Sequence, residues 1–163
     1  MDTLDDDRDA RALDEAECLR LLDTAAIGRI AFTEGALPAV QPVTFVRGGR
    51  EIYVPTHPGS AVAAASRGAV VAFEVDEVDV GARTGWNVTV VGPSRLIADP
   101  AEVRRLDGLG GGPWVPSGAH CYVGVQVRLV RGRRIGPRPA PAAAPAAPAG
   151  LSPAGAGMPS WVG

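Results

Sequence analysis

Residues 69–92, AVVAFEVDEVDVGARTGWNVTVVG, decide the fold of this chain. Two runs rich in β-branched and aromatic residues, AVVAFEV and WNVTVVG, flank a polar segment that contains two glycines. Runs of this kind favour strands, and glycines favour the connection between them, so the stretch predicts a buried antiparallel hairpin. Its acidic residues are expected in a solvated turn at the hairpin tip: Asp76, Glu77 and Asp79.

Further strands are predicted on both sides of this hairpin, at residues 28–32, 38–46, 51–54 and 121–130. Pro42 places the second of them at an edge or a bulge, because proline cannot donate to a central ladder. A Gly48-Gly49 pair predicts a two-residue hairpin loop after it. The last strand alternates, which assigns one set of side chains to a single face: Cys121, Val123, Val125, Val127 and Leu129.

Short helices are predicted between the strands. Asp14, Ser60 and Asp99 are each placed as N-caps, and Pro100 follows Asp99 at the first helical position. The first helix is expected to end at residues 26–28, and the glycine-rich run 108–113 is expected to be a flexible loop. Six closely spaced antiparallel strands with helices only between them favour a mainly β fold, a small closed or split barrel.

One domain accounts for the 163 residues. Residues 1–12 are charged and predicted to be flexible, residues 13–135 form the domain, and the Pro/Ala-rich residues 136–163 are predicted to be a disordered tail. With no basic, apolar leader and no long apolar run, the chain is expected to be cytoplasmic and to have no membrane span. Cys18 and Cys121 are expected as small buried hydrophobic residues, without a disulfide or a metal.

The charge composition excludes some partners. A net charge of −2 argues against a general nucleic-acid binder. All 16 basic residues are arginines, so no lysine is available as a base or a Schiff-base former. No G-x-S-x-G or H-E-x-x-H motif is present, and the two histidines stand singly.

Two features could carry chemistry. The loop PTHPGS, residues 55–60, offers the hydroxyls of Thr56 and Ser60, the backbone of Gly59 and a following helix, which together favour either an anion site or an ordinary capped turn. Trp86 opens a strand directly after a glycine. It is either a core residue or a ring that stacks on a flat cofactor.

The order of these motifs resembles the pyridoxamine 5′-phosphate oxidase-like branch of the flavin-binding split-barrel family, in a form common in actinobacteria. The resemblance covers residues 13–135, and its most specific pieces are AFEVD at 72–76 and GW-V--G at 85–92. It implies a six-stranded antiparallel split β-barrel with short peripheral helices. It also implies a homodimer with two cofactor sites at the subunit interface and a small-molecule substrate.

Members of this family typically hold FMN, a related actinobacterial group uses a deazaflavin coenzyme, and some bind haem. The resemblance implies that the second strand lays its backbone along the flavin ring, that the loop after the third strand grips the phosphate, and that the GW-V and final GRR segments lie close by. The implied cofactor-binding residues are therefore Val43, Thr44, Phe45, Thr56, His57, Ser60, Trp86, Asn87 and Arg133. No catalytic residue is assigned.

The chain departs from the family pattern at two positions that are usually basic, which here are Pro55 and Ala61. A charge-assisted hydrogen bond to phosphate is worth about 1.5–3 kcal/mol, so its loss is expected to weaken FMN binding roughly tenfold to a hundredfold. His57, Arg67, Arg133 and Arg134 are the candidates to compensate. Three functions follow: an FMN-dependent oxidoreductase, a deazaflavin-dependent reductase, or a non-catalytic split-barrel binding module.

Overall fold

A computed structural model describes residues 10–114 and 118–136 of the chain. Within these residues there are nine strands and three α-helices. The strands are β1 Ala10–Ala12, β2 Ile27–Glu34, β3 Leu37–Thr44, β4 Val46–Gly48, β5 Glu51–Thr56, β6 Val70–Asp79, β7 Thr84–Ile97, β8 Cys121–Gln126 and β9 Leu129–Ile135. The helices are α1 Glu15–Leu22, α2 Ala61–Ala65 and α3 Pro100–Leu106, and a wide, π-type turn over Asp107–Gly111 follows α3.

The strands form two antiparallel sheets that share β7. The large sheet has the order β3-β2-β6-β7-β9-β1, and the small sheet has the order β7-β8-β5-β4. Residues 85–91 of β7 pair with β9, and residues 94–97 pair with β8. The order ends at β3 on one side and at β4 on the other, so the described strands form the open, mainly β split barrel that the sequence predicts.

A β-bulge joins β8 to β9. Between the paired residues Ser94–Val125 and Val91–Leu129, residues 126–128 oppose only residues 92 and 93. One extra residue reverses the alternation of side chains and bends the strand. The prediction that Leu129 shares a face with Val125 is therefore wrong. Leu129 turns outward and is 43 % exposed, whereas Val125 is fully buried.

The main core lies between the inner faces of the two sheets and under α1. Ile30, Phe73, Val88 and Val90 are among its fully buried residues. Burying each side chain of this kind contributes about 1.5–3 kcal/mol. A second, smaller cluster lies between the outer face of the small sheet and α3: Tyr53, Ile97, Leu106 and Tyr122.

The helix starts are confirmed, and the ends differ in part. The side chains of Asp14, Ser60 and Asp99 each accept a hydrogen bond from a backbone N–H of the first turn. α1 ends at Leu22, earlier than predicted, because Thr24 donates its N–H and its hydroxyl to the Leu21 carbonyl. The first residues of the predicted glycine-rich loop instead continue α3 as the π-type turn.

The central hairpin is confirmed, but its tip is shorter than predicted. The three acidic residues expected in the turn lie in β6 instead, because the ladder continues to the pair Asp79–Thr84. The hairpin loop between β4 and β5 is Gly49-Arg50, in which only Gly49 has a positive φ, of 61°. Pro42 lies in β3, at the end of the sheet order, as predicted.

The remaining predictions concern the two ends of the chain, the cysteines and membrane spans. Residues 10–12, the end of the segment expected to be flexible, form β1 against β9. Residues 1–9 and the tail beyond residue 136 lie outside the described residues. Cys18 and Cys121 are both buried, as predicted. In the described ranges, no helix is long and apolar enough to cross a membrane.

Candidate functional site

A groove of about 520 Å³ lies on the outer face of the large sheet. Along β7, Trp86, Val88 and Val90 point into the core, so Asn87 and Thr89 point outward. The strand partner of Asn87 on β9 is Arg133, and the strand partner of Thr89 is Arg131. These four polar residues line the groove together with apolar neighbours that include Ala12, Leu13 and Val91.

An apolar row crosses the same face at right angles to the strands. It consists of successive strand partners on β3, β2, β6, β7 and β9, namely Val40, Ala31, Ala72, Val91 and Leu129. Every member is partly or largely exposed in the single chain. A contiguous exposed apolar strip of this kind is typical of a surface that meets a ligand or another protein.

The carboxylates on this face are already paired. Arg29 on β2 donates to Asp76 and, at 3.2 Å, to Glu74. The hydrogen bonds that Arg29 donates to Asp76 and, with a smaller effect, to Glu74 raise the pKa of its guanidinium above its ordinary value. Glu74 and Asp76 therefore share one cation, Arg29, on the side of β2, away from β9.

The structure brings two of the predicted site residues, Asn87 and Arg133, together in the groove. Trp86 lies on the other face of β7, with 7 % of its surface exposed, and packs in the main core. In the single chain, Trp86 is therefore a core residue, which is one of its two predicted roles. Its proximity to a cofactor stays a prediction.

The predicted phosphate loop, residues 55–60, uses its polar groups internally. The hydroxyls of Thr56 and Ser60 lie 2.7 Å apart, and Ser60 Oγ also accepts from Ala63 N at 3.1 Å. Gly59 N donates to His57 Nδ1 at 3.1 Å. These contacts are those of a capped turn, so an anion bound here would have to displace some of them.

The strand predicted to lie along a flavin ring is β3, which ends at Thr44. It does not adjoin the loop at residues 55–60 in the sequence, and it does not pair with β5, the strand that leads into that loop. Val43 and Thr44 pair with Gly28 and Ile27 of β2, and β3 has no strand partner on its other side among the described residues. Phe45 is 9 % exposed, and its ring packs edge-on against Phe73 at a centroid distance of 4.7 Å. The lining of the groove includes neither these residues nor the loop.

Sequence reasoning missed Thr89 and Arg131. Alternation places Thr89 on the same face as Asn87, so a signal for it was present in the strand. Arg131 gave no such signal, because the bulge decides which face of β9 carries the arginines at 131 and 133.

A second polar cluster lies outside the groove, at the π-type turn that follows α3. Asp107 Oδ1 accepts from Tyr122 Oη at 2.6 Å and contacts His120 Nε2 at 2.8 Å. These two hydrogen bonds hold the pKa of the Asp107 carboxyl below its ordinary value, whereas burial raises the pKa of the Tyr122 hydroxyl. In the described part of the chain, no three His, Cys, Asp or Glu side chains are arranged to hold a metal ion.

Comparison with known proteins agrees with this architecture. The chain is 36 % identical over 133 residues to the uncharacterized protein Rv0080 of Mycobacterium tuberculosis, an alignment that covers 78 % of this chain and 87 % of that protein. Among solved structures, it is similar to a FAD-binding protein from Mycobacterium smegmatis, with a TM-score of 0.60 and 28 % identity over 77 % of this chain and 98 % of the other. It is also similar to a FAD-binding protein from Mesorhizobium loti, with a TM-score of 0.61 and 25 % identity over 77 % and 97 % of the two chains.

The family assignment rests on most of the domain. The family model for pyridoxamine 5′-phosphate oxidase matches residues 14–134, from the N-cap of α1 to the penultimate residue of β9. The matched region includes the shared strand β7, the bulge and most of the groove. The chain belongs to the pyridoxamine 5′-phosphate oxidase family.

Proposed function

We propose that this protein binds a flavin, FMN, in the groove on the outer face of the large sheet and acts as an oxidoreductase on a small molecule. The observation that carries the proposal is the groove itself, which combines an apolar wall with an amide, a hydroxyl and two arginines. The similarity to two FAD-binding proteins supports a flavin as the ligand.

The residues present fit such a ligand. A volume of about 520 Å³ lies in the range of about 300–1,000 Å³ that is usual for small-molecule sites. Val91 and Leu129 offer an apolar surface to a flat ring, and Thr89 and Asn87, the next outward-facing residues of β7, offer hydrogen-bonding groups to the part of the ligand beyond the ring. The arginines of β9 can hold an anionic end.

A second copy of the chain would complete the site. The apolar row leaves Val40 64 % exposed and Leu129 43 % exposed in the single chain. A homodimer that pairs these faces would cover the row and enclose the groove at the subunit interface. A stable interface of this kind buries about 800 Å² on each partner.

A bound flavin supplies the electron or hydride transfer, so the protein needs to bind, orient and shield the ligand. Asn87 and Thr89 would orient it from β7, while Val91 and Leu129 would exclude water from one side. The pairing of Glu74 and Asp76 with Arg29 offsets part of the negative charge of β6 beside the groove.

The visible absorption spectrum of the purified protein tests the proposal first. Bound FMN absorbs between about 350 and 450 nm, where the deazaflavin and haem have different spectra. A protein that carries no flavin and gives no FMN titration signal would refute flavin binding. Reduction of the bound flavin by candidate donors, followed by transfer to an acceptor, then tests the oxidoreductase activity.

The two arginines of β9 that line the groove, Arg131 and Arg133, favour a second candidate, a deazaflavin-dependent reductase, because they could hold a longer acidic tail. Parallel titrations with FMN and with the deazaflavin coenzyme decide between the two. The internally bonded loop, without a cation at Pro55 or Ala61, favours the third candidate, a non-catalytic binding module. A dimer that reduces no acceptor with any flavin would support that candidate.

A further inference from the structure

Positive charge is concentrated on one side of the groove. On β2 and β6, Arg29 is matched by Glu74 and Asp76. On β9, Arg131 is exposed, and no carboxylate pairs with it in the described part of the chain. The electrostatic potential should therefore become more positive from β6 to β9.

Polar groups stand beside this charge in a regular arrangement. Thr89 is the direct strand partner of Arg131, so their Cβ atoms are expected to be about 4.5–5.5 Å apart. The next pair on the same face, Asn87 and Arg133, lies two residues along each strand, or about 7 Å away. Two pairs, each with one guanidinium and one neutral hydrogen-bonding group, thus follow one another along the groove.

We propose that Arg131 and Thr89, extended by Asn87 and Arg133, form an anion-binding site for the phosphate or diphosphate group of the ligand in the groove. A guanidinium binds phosphate through two parallel N–H donors, and the threonine hydroxyl can donate a third hydrogen bond. This inference deepens the proposed function and depends on the groove being the ligand site.

The alternative position for the anion is the loop at residues 55–60. There, Gly59 N is already bonded to His57 Nδ1, and the Ser60 hydroxyl is already bonded to Thr56 and Ala63. Pro55 and Ala61 supply no charge. His57 in this loop and the exposed Arg67 after it are the basic residues that could serve the loop, and neither is a strand partner of a hydroxyl-bearing residue. On the β9 side, the exposed Arg131 is the direct strand partner of Thr89, so charge and a hydroxyl stand side by side in the groove, and we favour this side for the anionic end.

Pyrophosphate alone tests the anion site without any flavin. The full chain is dialysed until its visible absorption is lost and is titrated with pyrophosphate by calorimetry at low ionic strength, where charge effects are least screened. The Arg131→Gln variant should bind pyrophosphate at least tenfold more weakly, Arg131→Lys should fall between Arg131→Gln and the wild type, and Thr89→Val should lose about threefold.

Arg104→Gln is the matched control, because Arg104 is also exposed and lies on α3, outside the groove. It should bind pyrophosphate as the wild type does. Melting temperatures of all variants show whether the fold is kept. Equal affinity of the wild type and Arg131→Gln for pyrophosphate would overturn the proposal, as would the absence of pyrophosphate binding by the wild type.

FMN and riboflavin identify the source of the anion, since riboflavin lacks the phosphate. A loss of FMN affinity in Arg131→Gln with riboflavin affinity unchanged supports the site and assigns the flavin phosphate to it. A loss of pyrophosphate binding with FMN affinity unchanged also supports the site and assigns it to a phosphorylated substrate. If the wild type binds no flavin, the proposed function fails, while the pyrophosphate titration still decides the anion site.

Discussion

The backbone at Gly92 lies so close to Gln126 that a Cβ at residue 92 would stand 1.8 Å from the Gln126 carbonyl oxygen. This contact occurs where β7 passes from the large sheet to the small sheet, opposite the bulge. A backbone neighbour cannot rotate away as a side chain can. Gly92→Ala should therefore lower the free energy of unfolding by about 3 kcal/mol or more, the upper end of the usual cost of overpacking.

Urea unfolding checks this prediction, with Gly108→Ala as its control. A Cβ at Gly108 would meet nothing within 4 Å, and its φ is not positive. The control should change the free energy of unfolding by less than about 1 kcal/mol. Equal urea midpoints for Gly92→Ala and the wild type would contradict the prediction, because they would show that the backbones at residues 92 and 126 can move apart without loss of stability.

A basic residue at position 61 tests whether the loop at 55–60 can take part in anion binding. Ala61 begins α2 directly after the Ser60 cap. If the loop reaches the phosphate of FMN, Ala61→Lys should raise FMN affinity about tenfold through a charge-assisted bond and leave riboflavin affinity unchanged. If the anion is held on β9, FMN affinity should stay within about twofold of the wild type, which is the result we expect.

Loss of the Ser60 cap separates a structural role from a binding role. Ser60→Ala removes the acceptor for Ala63 N and the partner of Thr56 Oγ1. We expect a loss of about 1 kcal/mol in the free energy of unfolding, as for other N-cap serines, and no more than about twofold in FMN affinity. Chemical denaturation and FMN titration of the same preparation give both values. A tenfold loss of FMN affinity would instead support the loop as the phosphate site.

The Asp107 cluster predicts an acid-dependent part of the stability. Because hydrogen bonds lower the pKa of Asp107 in the folded state, its carboxylate stabilises the fold at pH values above about 3.9, the ordinary value. That contribution is lost as the pH falls through the lowered value. The Asp107 side chain is 37 % exposed, so solvent screening weakens the effect. Asp107→Asn should therefore be less stable than the wild type at pH 7 by less than about 1 kcal/mol, and the difference should shrink below about pH 4.

Denaturant unfolding across this pH range measures the effect. Glu34→Gln serves as a control for the general influence of a lost charge, since Glu34 is exposed at the end of β2. Its stability curve should run parallel to that of the wild type. A constant difference between Asp107→Asn and the wild type down to about pH 2 would contradict the assignment.

The apolar row predicts the effect of a charge on self-association. Val40→Glu places a carboxylate on the row, on an exposed residue of β3. We expect it to shift a dimer towards monomers in sedimentation, because an unpaired charge would be buried at the interface. Val80→Glu, at the tip of the hairpin between β6 and β7 and 83 % exposed, should leave the association state unchanged. A wild type that is monomeric at high concentration would refute the proposed homodimer.

Local signals predicted the hairpin and the helix starts. The strands at residues 69–92 pair as expected because β-branched residues and the alternation of burial need no distant information. The caps at Asp14, Ser60 and Asp99 likewise involve contacts within three residues. The split barrel as a whole was predicted from the order of these motifs along the chain, which resembles that of the family.

The groove depends on contacts that local signals do not carry. The extra residue at 126–128 can be recognised only from the pairing of β8 and β9 with β7, in which these three residues lie opposite Gly92 and Pro93. Residues 126–128 themselves contain no glycine or proline that would mark the bulge. For this reason Arg131 was missed, and Leu129 was assigned to the wrong face. The ladder through Asp79 was missed as well, because pairing with Thr84 outweighs the turn preference of acidic residues.

The bulge decides which alternate residues of β9 face outward. With three residues opposite two, the odd-numbered residues 129, 131, 133 and 135 face outward, while Gly132 lies against Cys18 and the core. Deleting any one of residues 126–128 would leave two residues opposite Gly92 and Pro93. The inward-facing and outward-facing residues of β9 would then change places, so that Arg131 and Arg133 point inward and Gly132 points outward. An insertion or deletion of one residue would therefore be far more damaging here than almost any substitution, whereas a change of two residues would keep the arginines on the side of the groove.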